Sequence, residues 1–143
     1  MLYFAYGSNM DPEGMRERAP GARSLGAARL AGWRLTFTAD APDAGFGVPH
    51  IEPDENDEVW GVLWDATEDD LMALDDYEGV GLGAYMRDAV VVSHDGRDVE
   101  ATVYLALTRS YQRPAKDFVE ILVRGAEAHG VPRRYVEKLR GLA

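Results

Sequence analysis

A β-hairpin is the clearest element of this chain, and it lies among strands and helices that do not repeat regularly. Residues 85–93 and 99–107 are rich in β-forming side chains, and His94-Asp95-Gly96-Arg97 joins them. Asp-Gly is a strong signal for a tight hairpin turn. Across the whole chain the patterning predicts the order β, α, β, β, β, α, β, β, α, α. Because this is neither a regular βαβ series nor a pure sandwich, we expect an α+β fold with a curved or barrel-like mixed sheet and helices at its edge.

Four other runs predict the remaining strands. Residues 2–6 are apolar and end at a glycine, and residues 30–39 alternate between apolar and polar side chains, which is typical of a half-buried strand. Residues 47–51 predict a short strand after a loop rich in Asp, Pro and Gly over residues 40–47. Residues 58–64 predict a strand that is buried on both faces, in which Gly61 marks a bulge or a close approach of another backbone.

Each predicted helix carries a start or a stop signal. Asp11 is a predicted N-cap followed by a proline at the first helical position. Thr67 is the predicted N-cap of a second helix, whose acidic first turn suits the helix dipole and which ends near Gly79. The longest predicted helix ends at Gly130, and Pro132 begins a last short one.

Composition limits the classes of partner. The chain has 143 residues, a formal net charge of −10 and no cysteine. Such a charge disfavours nucleic acid and anionic membrane surfaces, which require a basic footprint. Without cysteine there is neither a disulfide nor a thiolate metal site, and no apolar run approaches the roughly 18 residues of a membrane span. We therefore expect one cytoplasmic domain over residues 1–143, with no nucleic-acid or membrane partner; the oligomeric state is open.

The first candidate site is Tyr6-Gly7-Ser8-Asn9, at the end of the N-terminal strand. A glycine after a buried strand lets successive backbone N–H groups point one way, and such a concave arrangement binds small anions such as carboxylates. Ser8 and Asn9 add side-chain donors. An ordinary turn is the alternative interpretation of these four residues.

The second candidate is Glu78, where the second helix runs out before a glycine-rich turn. Partial desolvation and neighbouring acids would raise the pKa of a carboxyl group at such a position. A glutamate with a raised pKa can carry a proton between an amine and a leaving group. A solvated carboxylate at a helix end is the alternative.

Other apparent motifs fail on their spacing. Residues 79–83 lack the G-x-G-x-x-G pattern and follow a helix, where a nucleotide-binding loop requires a strand. The acidic run at residues 54–58 lacks the glycine and glutamate positions of a calcium loop. The three histidines have no metal-ligand spacing, and Ser8 is not in a G-x-S-x-G elbow. We therefore expect no metal site and no serine-hydrolase site.

Several segments together resemble the γ-glutamylcyclotransferase (AIG2-like) family, in the family's own order and over nearly the whole chain. They are YGSN at 6–9 after LYFA at 2–5, DEVWGVLW at 57–64, LDDYEGV at 74–80 followed by GAY at 83–85, and GAEAHGVP at 125–132 with Tyr135 and Leu139.

The resemblance implies a small mixed β-barrel flanked by helices and a reaction that needs no cofactor. In that reaction the α-amine of a γ-glutamyl amide attacks its own γ-carbonyl and releases 5-oxoproline. Glu78 matches the family's general acid/base, Tyr6 to Asn9 match the substrate-binding backbone, and Tyr85 matches a tyrosine that lines the cavity. For a later substrate-binding tyrosine the candidate is Tyr111, although Arg109 lies closer to the matching position.

Two other functions stay open at this point. One is a non-catalytic protein that binds a small anion in the same pocket, although an acid opposite an anion site has little value for binding alone. The other is a hydrolase that uses water in place of the tethered amine. The leaving group also stays open, because Asn9 suits both the dipeptide-acting and the biosynthetic-deblocking branches of the family.

Overall fold

The structure is a computed structural model that describes residues 1–39, 46–107 and 110–142. Its strands are β1 (Leu2–Ala5), β2 (Arg23–Ala39), β3 (Val48–Asp65), β4 (Tyr85–His94), β5 (Arg97–Ala106) and β6 (Ser110–Tyr111). Its helices are α1 (Pro12–Arg18), α2 (Glu68–Glu78), α3 (Lys116–Ala128) and α4 (Arg133–Arg140). Two short 3₁₀ turns, Ser8–Met10 and Val80–Leu82, precede α1 and follow α2.

Five of the strands close into a mixed barrel. The order is β3-β1-β5-β4-β2, and β2 also pairs with β3, which closes the ring. β1 runs parallel to β5, with Tyr3 opposite Thr102, and the other pairs are antiparallel. β6 extends β2 beyond the ring. The predicted α+β fold, a small mixed barrel flanked by helices, is therefore confirmed.

The predicted lengths of two strands were wrong. β2 begins at Arg23 instead of residue 30, and the predicted strands 47–51 and 58–64 are parts of one strand, β3. β2 and β3 pair along most of their length, with a register shift that leaves residues 54–57 without partners on β2. This is a bulge, in which extra residues of one strand are left unpaired. The prediction divided β3 at the polar residues 54–57, because a local sequence pattern cannot show that the segments on both sides of them pair with β2.

The two-sided burial predicted for residues 58–64 is confirmed. Val59 and Leu63 pack in one hydrophobic cluster, whereas Val62 and Trp64 pack in the other. At Gly61 an added Cβ would collide with the carbonyl oxygen of Ala5 on β1. Gly61 therefore permits a close backbone approach, which lets β1 lie tightly against β3.

The helix signals also agree with the structure. Asp11 is the N-cap of α1 with Pro12 in its first turn, and Thr67 forms a reciprocal capping box with Asp70 at the start of α2. α2 ends at Gly79, which is left-handed with a φ of 75°. The hairpin turn has positive φ at both Asp95 and Gly96, as its sequence requires. Residues 40–45, most of the predicted loop 40–47, lie outside the described residues.

Two hydrophobic clusters divide the barrel wall between them. The members of one all come from strands and the segment just after β1, including Phe4, Leu30 and Val103. The other joins strand residues such as Tyr3 to helix residues such as Leu74 and Leu122. Successive residues of β1 therefore face opposite layers, and the end of β1 emerges where the helices meet the barrel. None of the helices in the described ranges is long and apolar enough to cross a membrane.

Candidate active site

The segment after β1 forms a tight turn that leaves backbone donors available. β1 ends at Ala5, and Ser8–Met10 form a 3₁₀ turn in which the amide of Met10 donates to the carbonyl of Gly7. The first amides of such a turn have no acceptor within it, and none of the described residues accepts from the amides of Ser8 or Asn9. These donors can therefore serve an anionic ligand.

The turn is held from two sides. The hydroxyl of the buried Tyr6 donates to the carbonyl of Tyr104 on β5. On the other side α3 lies directly against the turn, because a Cβ at Gly125 would come within 2.6 Å of the carbonyl carbon of Met10. Gly125 thus allows a helix to support the turn, a role that the sequence pattern did not reveal.

Glu78 is the last residue of α2, and its carboxylate lies beside this turn. The Nδ2 of Asn9 donates to the Oε1 of Glu78 at 3.2 Å. Burial raises the pKa of Glu78 from 4.5 to about 7, although the charge of Arg18 lowers it. Glu78 therefore changes its protonation state near neutral pH, as a residue that both accepts and returns a proton must.

Asn9 is the centre of the polar contacts at this end of the barrel. Its side chain is buried, and its Nδ2 also donates to the Tyr3 hydroxyl at 2.9 Å. Its Oδ1 accepts from the Nη1 of Arg18 at 2.7 Å. Both ends of the carboxamide are satisfied, so Asn9 ties the turn to β1, α1 and α2 at once.

These residues line one cavity of about 200 Å³. The volume lies below the range of about 300–1,000 Å³ that is typical of drug-sized ligands, so the cavity suits a small metabolite. Its lining comprises Tyr3, Tyr6, Gly7, Ser8, Asn9, Val48, Pro49, Tyr77, Glu78, Tyr85 and Phe118.

Six of the seven site residues expected from the sequence lie in this lining, and the seventh does not. Tyr85 is in the lining and its hydroxyl donates to the carbonyl of Pro49 at 2.8 Å. Tyr111 is 58% exposed, and its hydroxyl donates to Glu52 at 2.6 Å, away from the cavity lining. Arg109, the alternative residue for this substrate contact, lies outside the described residues.

Sequence reasoning missed the other five residues of the lining. Tyr3 precedes the YGSN segment on β1, where a period of two already places it on the helix side of the barrel. Tyr77 adjoins Glu78, and its hydroxyl lies 3.3 Å from the Oγ of Ser8. Val48, Pro49 and Phe118 come from segments distant in sequence and had no local signal that could have indicated them.

No group of three or more His, Cys, Asp or Glu side chains able to hold a metal ion occurs in the described ranges. The ionisable side chains of the lining are the carboxyl of Glu78 and tyrosine hydroxyls. Burial raises the pKa of both Tyr3 and Tyr6 well above its usual value, and the charge of Glu78 adds to both shifts. At neutral pH these two hydroxyls are therefore neutral.

Comparisons with known proteins show which family the chain belongs to. The chain matches the model of the AIG2-like family over residues 58–139. It is 34% identical to human γ-glutamylcyclotransferase, in an alignment that covers 99% of this chain and 78% of the human one. The mouse γ-glutamylcyclotransferase is 32% identical over the same shares.

The fold comparison gives the same result. A solved structure of a γ-glutamyl cyclotransferase superposes with a TM-score of 0.93 at 32% identity, covering 100% of this chain and 88% of that one. The barrel and its flanking helices thus have the fold of that γ-glutamyl cyclotransferase. The chain therefore belongs to the AIG2-like family and is an enzyme of the γ-glutamylcyclotransferase type.

Proposed function

We propose that this enzyme releases 5-oxoproline from a small γ-glutamyl amide, with Glu78 as its general acid/base. The observation that supports this most is the position of Glu78, a carboxyl with a pKa of about 7 in the same cavity as the unpaired amides of Ser8 and Asn9. A proton carrier and an anion-binding backbone are the two parts that an intramolecular aminolysis requires.

The reaction begins with a proton transfer. The carboxylate of Glu78 takes a proton from the substrate's α-ammonium group, and the freed amine attacks the γ-carbonyl carbon. A C–N bond forms, and the carbonyl oxygen becomes an oxyanion. The C–N bond to the leaving group then breaks while Glu78 returns its proton to the leaving nitrogen. The attacking nitrogen still carries one proton more than the lactam keeps, and it loses this proton to the released amine. The products are 5-oxoproline and a free amine or amino acid, and Glu78 ends as the carboxylate with which it began.

The turn after β1 has the binding role in this proposal. The backbone amides of residues 6–9 hold the substrate's α-carboxylate or the developing oxyanion, as hydrogen-bond donors do in other acyl transfers. Tyr85 lines the wall beside them. Tyr111 remains a proposed substrate contact, although it does not lie in the cavity lining. Because the nucleophile is tethered to the electrophile, correct folding of the substrate supplies much of the rate. The reaction as proposed needs no cofactor.

A product assay tests the proposal. The protein is incubated with γ-glutamyl amino acids, γ-glutamyl amines and glutathione, and 5-oxoproline and glutamate are measured separately. We expect 5-oxoproline from at least one of these classes, and the class that reacts identifies the leaving group. Free glutamate in place of 5-oxoproline would show that water is the nucleophile, and no 5-oxoproline from any class would contradict the proposal.

A cytoplasmic location belongs to the same proposal. The absence of cysteine from all 143 residues supports it, because proteins of reducing compartments do not depend on disulfides. The acidic net charge of −10 supports the absence of a nucleic-acid partner.

A further inference from the structure

Arg18, the last residue of α1, contacts the site without lining the cavity. Its Nη1 donates to the Oδ1 of Asn9 at 2.7 Å, and its guanidinium lies 4.0 Å from the centre of the Tyr77 ring. Tyr77 and Glu78 are neighbours on α2, so one side chain of α1 contacts both the anion-binding turn and the helix that carries Glu78.

The contact with Asn9 decides which way the carboxamide faces. A guanidinium has donors and no acceptor, so it can pair with the oxygen of Asn9 and not with its amine. With the oxygen held at Arg18, the Nδ2 must face Glu78 and Tyr3, where it donates to both. A flipped carboxamide would place its oxygen against the Glu78 carboxylate, and two acceptors cannot bond to each other.

The guanidinium lies against its own helix. Gly14 lies one turn before Arg18, and a Cβ at Gly14 would come within 2.7 Å of the Nη1 of Arg18. The arginine therefore folds back over a position that has no side chain. A planar cation over an aromatic ring is a further stabilising contact, and a lysine ammonium reproduces it less well.

We propose that Arg18 is a positioning residue, which fixes the Asn9 carboxamide so that its Nδ2 holds the Glu78 carboxylate at the cavity wall. This inference rests on the proposed function where it concerns turnover, but its geometric part does not depend on the reaction.

The charges around Glu78 allow a test by titration. Arg18 faces it from α1, Tyr3 from β1, Tyr6 from the segment after β1, and Tyr104 from β5. Burial raises the pKa of all three tyrosines, so they are neutral at neutral pH. Arg18 is thus the charged group of this set, and we expect its removal to raise the pKa of Glu78 further.

Four variants separate charge, geometry and stability. Arg18→Gln removes the charge and the fork of donors, whereas Arg18→Lys keeps the charge and loses the fork. Gly14→Ala keeps Arg18 and displaces its guanidinium, while alanine in place of glycine favours the helix by up to about 1 kcal/mol. Arg16→Gln is the matched control, because Arg16 is an exposed arginine of the same helix.

We expect Arg18→Gln to lower kcat about tenfold to a hundredfold, as displaced catalytic groups do. It should also move the acid limb of the pH profile upward. Arg18→Lys should lower kcat and leave that limb in place. Gly14→Ala should lower kcat without lowering the unfolding temperature, which a purely structural role for Arg18 would not produce. Arg16→Gln should have the kcat and the pH profile of the wild-type enzyme.

A ¹³C NMR titration of the Glu78 carboxyl group, assigned by the loss of its signal in Glu78→Gln, makes the result independent of turnover. The pKa of Glu78 should rise above about 7 in Arg18→Gln and stay unchanged in Arg16→Gln. If the wild-type protein forms no 5-oxoproline, the proposed function fails, yet this titration still shows whether Arg18 acts on Glu78. The inference would be overturned if kcat and the Glu78 titration were both unchanged in Arg18→Gln. It would also be overturned if kcat were unchanged in both Gly14→Ala and Arg18→Lys.

Discussion

Asp75 and Glu78 are two carboxylates on the same helix, three residues apart, in two very different surroundings. Asp75 accepts from the Nε and Nη2 of Arg87 at 2.7 and 2.6 Å, and also from the Tyr104 hydroxyl at 2.7 Å. Glu78 accepts instead from the neutral carboxamide of Asn9 at 3.2 Å. One carboxylate is bonded at both oxygens to a cation, and the other lies beside a cavity.

Their acidities follow from these partners. The hydrogen bonds from Arg87 lower the pKa of Asp75, against the opposing effect of burial. For Glu78 burial dominates and raises the pKa to about 7. A direct cationic partner therefore makes a carboxylate structural, whereas burial without one leaves a group that can exchange its proton at neutral pH.

The largest difference between the two should appear in turnover. Glu78→Gln keeps the shape of the side chain and removes its proton transfer, so we expect kcat to fall about 10²- to 10⁴-fold. Asp76→Asn, at an exposed position of the same helix, is the matched control and should retain activity. Steady-state kinetics with the substrate that reacts best checks both, and an active Glu78→Gln would show that another group carries the proton.

The opposite pattern is expected at Asp75. Asp75→Asn leaves Arg87 without its two-point partner and weakens the bond from Tyr104, so the free energy of unfolding should fall by about 2–3 kcal/mol. Urea unfolding at neutral pH measures the loss. A loss smaller than that of a typical surface change, about 0.5 kcal/mol, would show that the ionic cluster is not structural.

Glu78 should instead act against stability as the pH rises. Its folded pKa of about 7 exceeds its ordinary value of 4.5, so its stabilising contribution is complete below pH 4.5 and is lost as the pH rises through 7. Glu78→Gln should therefore be more stable than the unchanged protein at pH 8, by about 1–3 kcal/mol. At pH 4.5 the difference should vanish. Urea unfolding at both pH values decides this, and equal stability at pH 8 would contradict the raised pKa.

The smallest effect concerns the outer partner of Arg87. Glu68 lies 3.4 Å from Arg87, but its side chain is 56% exposed, compared with 25% for Asp75. Because exposed ion pairs are weak, Glu68→Gln should change the free energy of unfolding by about 0.5 kcal/mol or less. A loss as large as that of Asp75→Asn would mean that the cluster acts as one network of three charges.

Much of the fold could be predicted because its signals are local. The Asp-Gly turn, the Thr67 cap and the period of residues 58–64 each depend on a few neighbouring residues, and the structure confirms them. The long strands β2 and β3 could not be predicted in this way. Their continuity depends on pairing across a bulge, in which the polar residues 54–57 carry no regular pattern.

The same difference between local signals and contacts between distant segments holds for the site. The YGSN segment and Glu78 were predicted because each lies where an element ends, next to a glycine turn. Pro49 and Phe118 were not predicted, because only the closed barrel brings them to the cavity. Arg18 was not predicted either, because its contact with Asn9 depends on how α1 packs after the turn. Tyr111 shows the converse case. Its place in the sequence suggested a contact that its bond to Glu52 and its exposure do not support.

The parallel pairing of β1 with β5 also governs when the site can form during synthesis. Tyr3 lies opposite Thr102, so the first strand of the chain has no complete set of neighbours until about a hundred later residues have been translated. At about 5–20 residues per second, the YGSN segment waits some 5–20 s after leaving the ribosome for β5, the later of the two strands that pair with β1. The turn after β1 is thus among the first parts of the enzyme to be made and among the last to reach its folded surroundings.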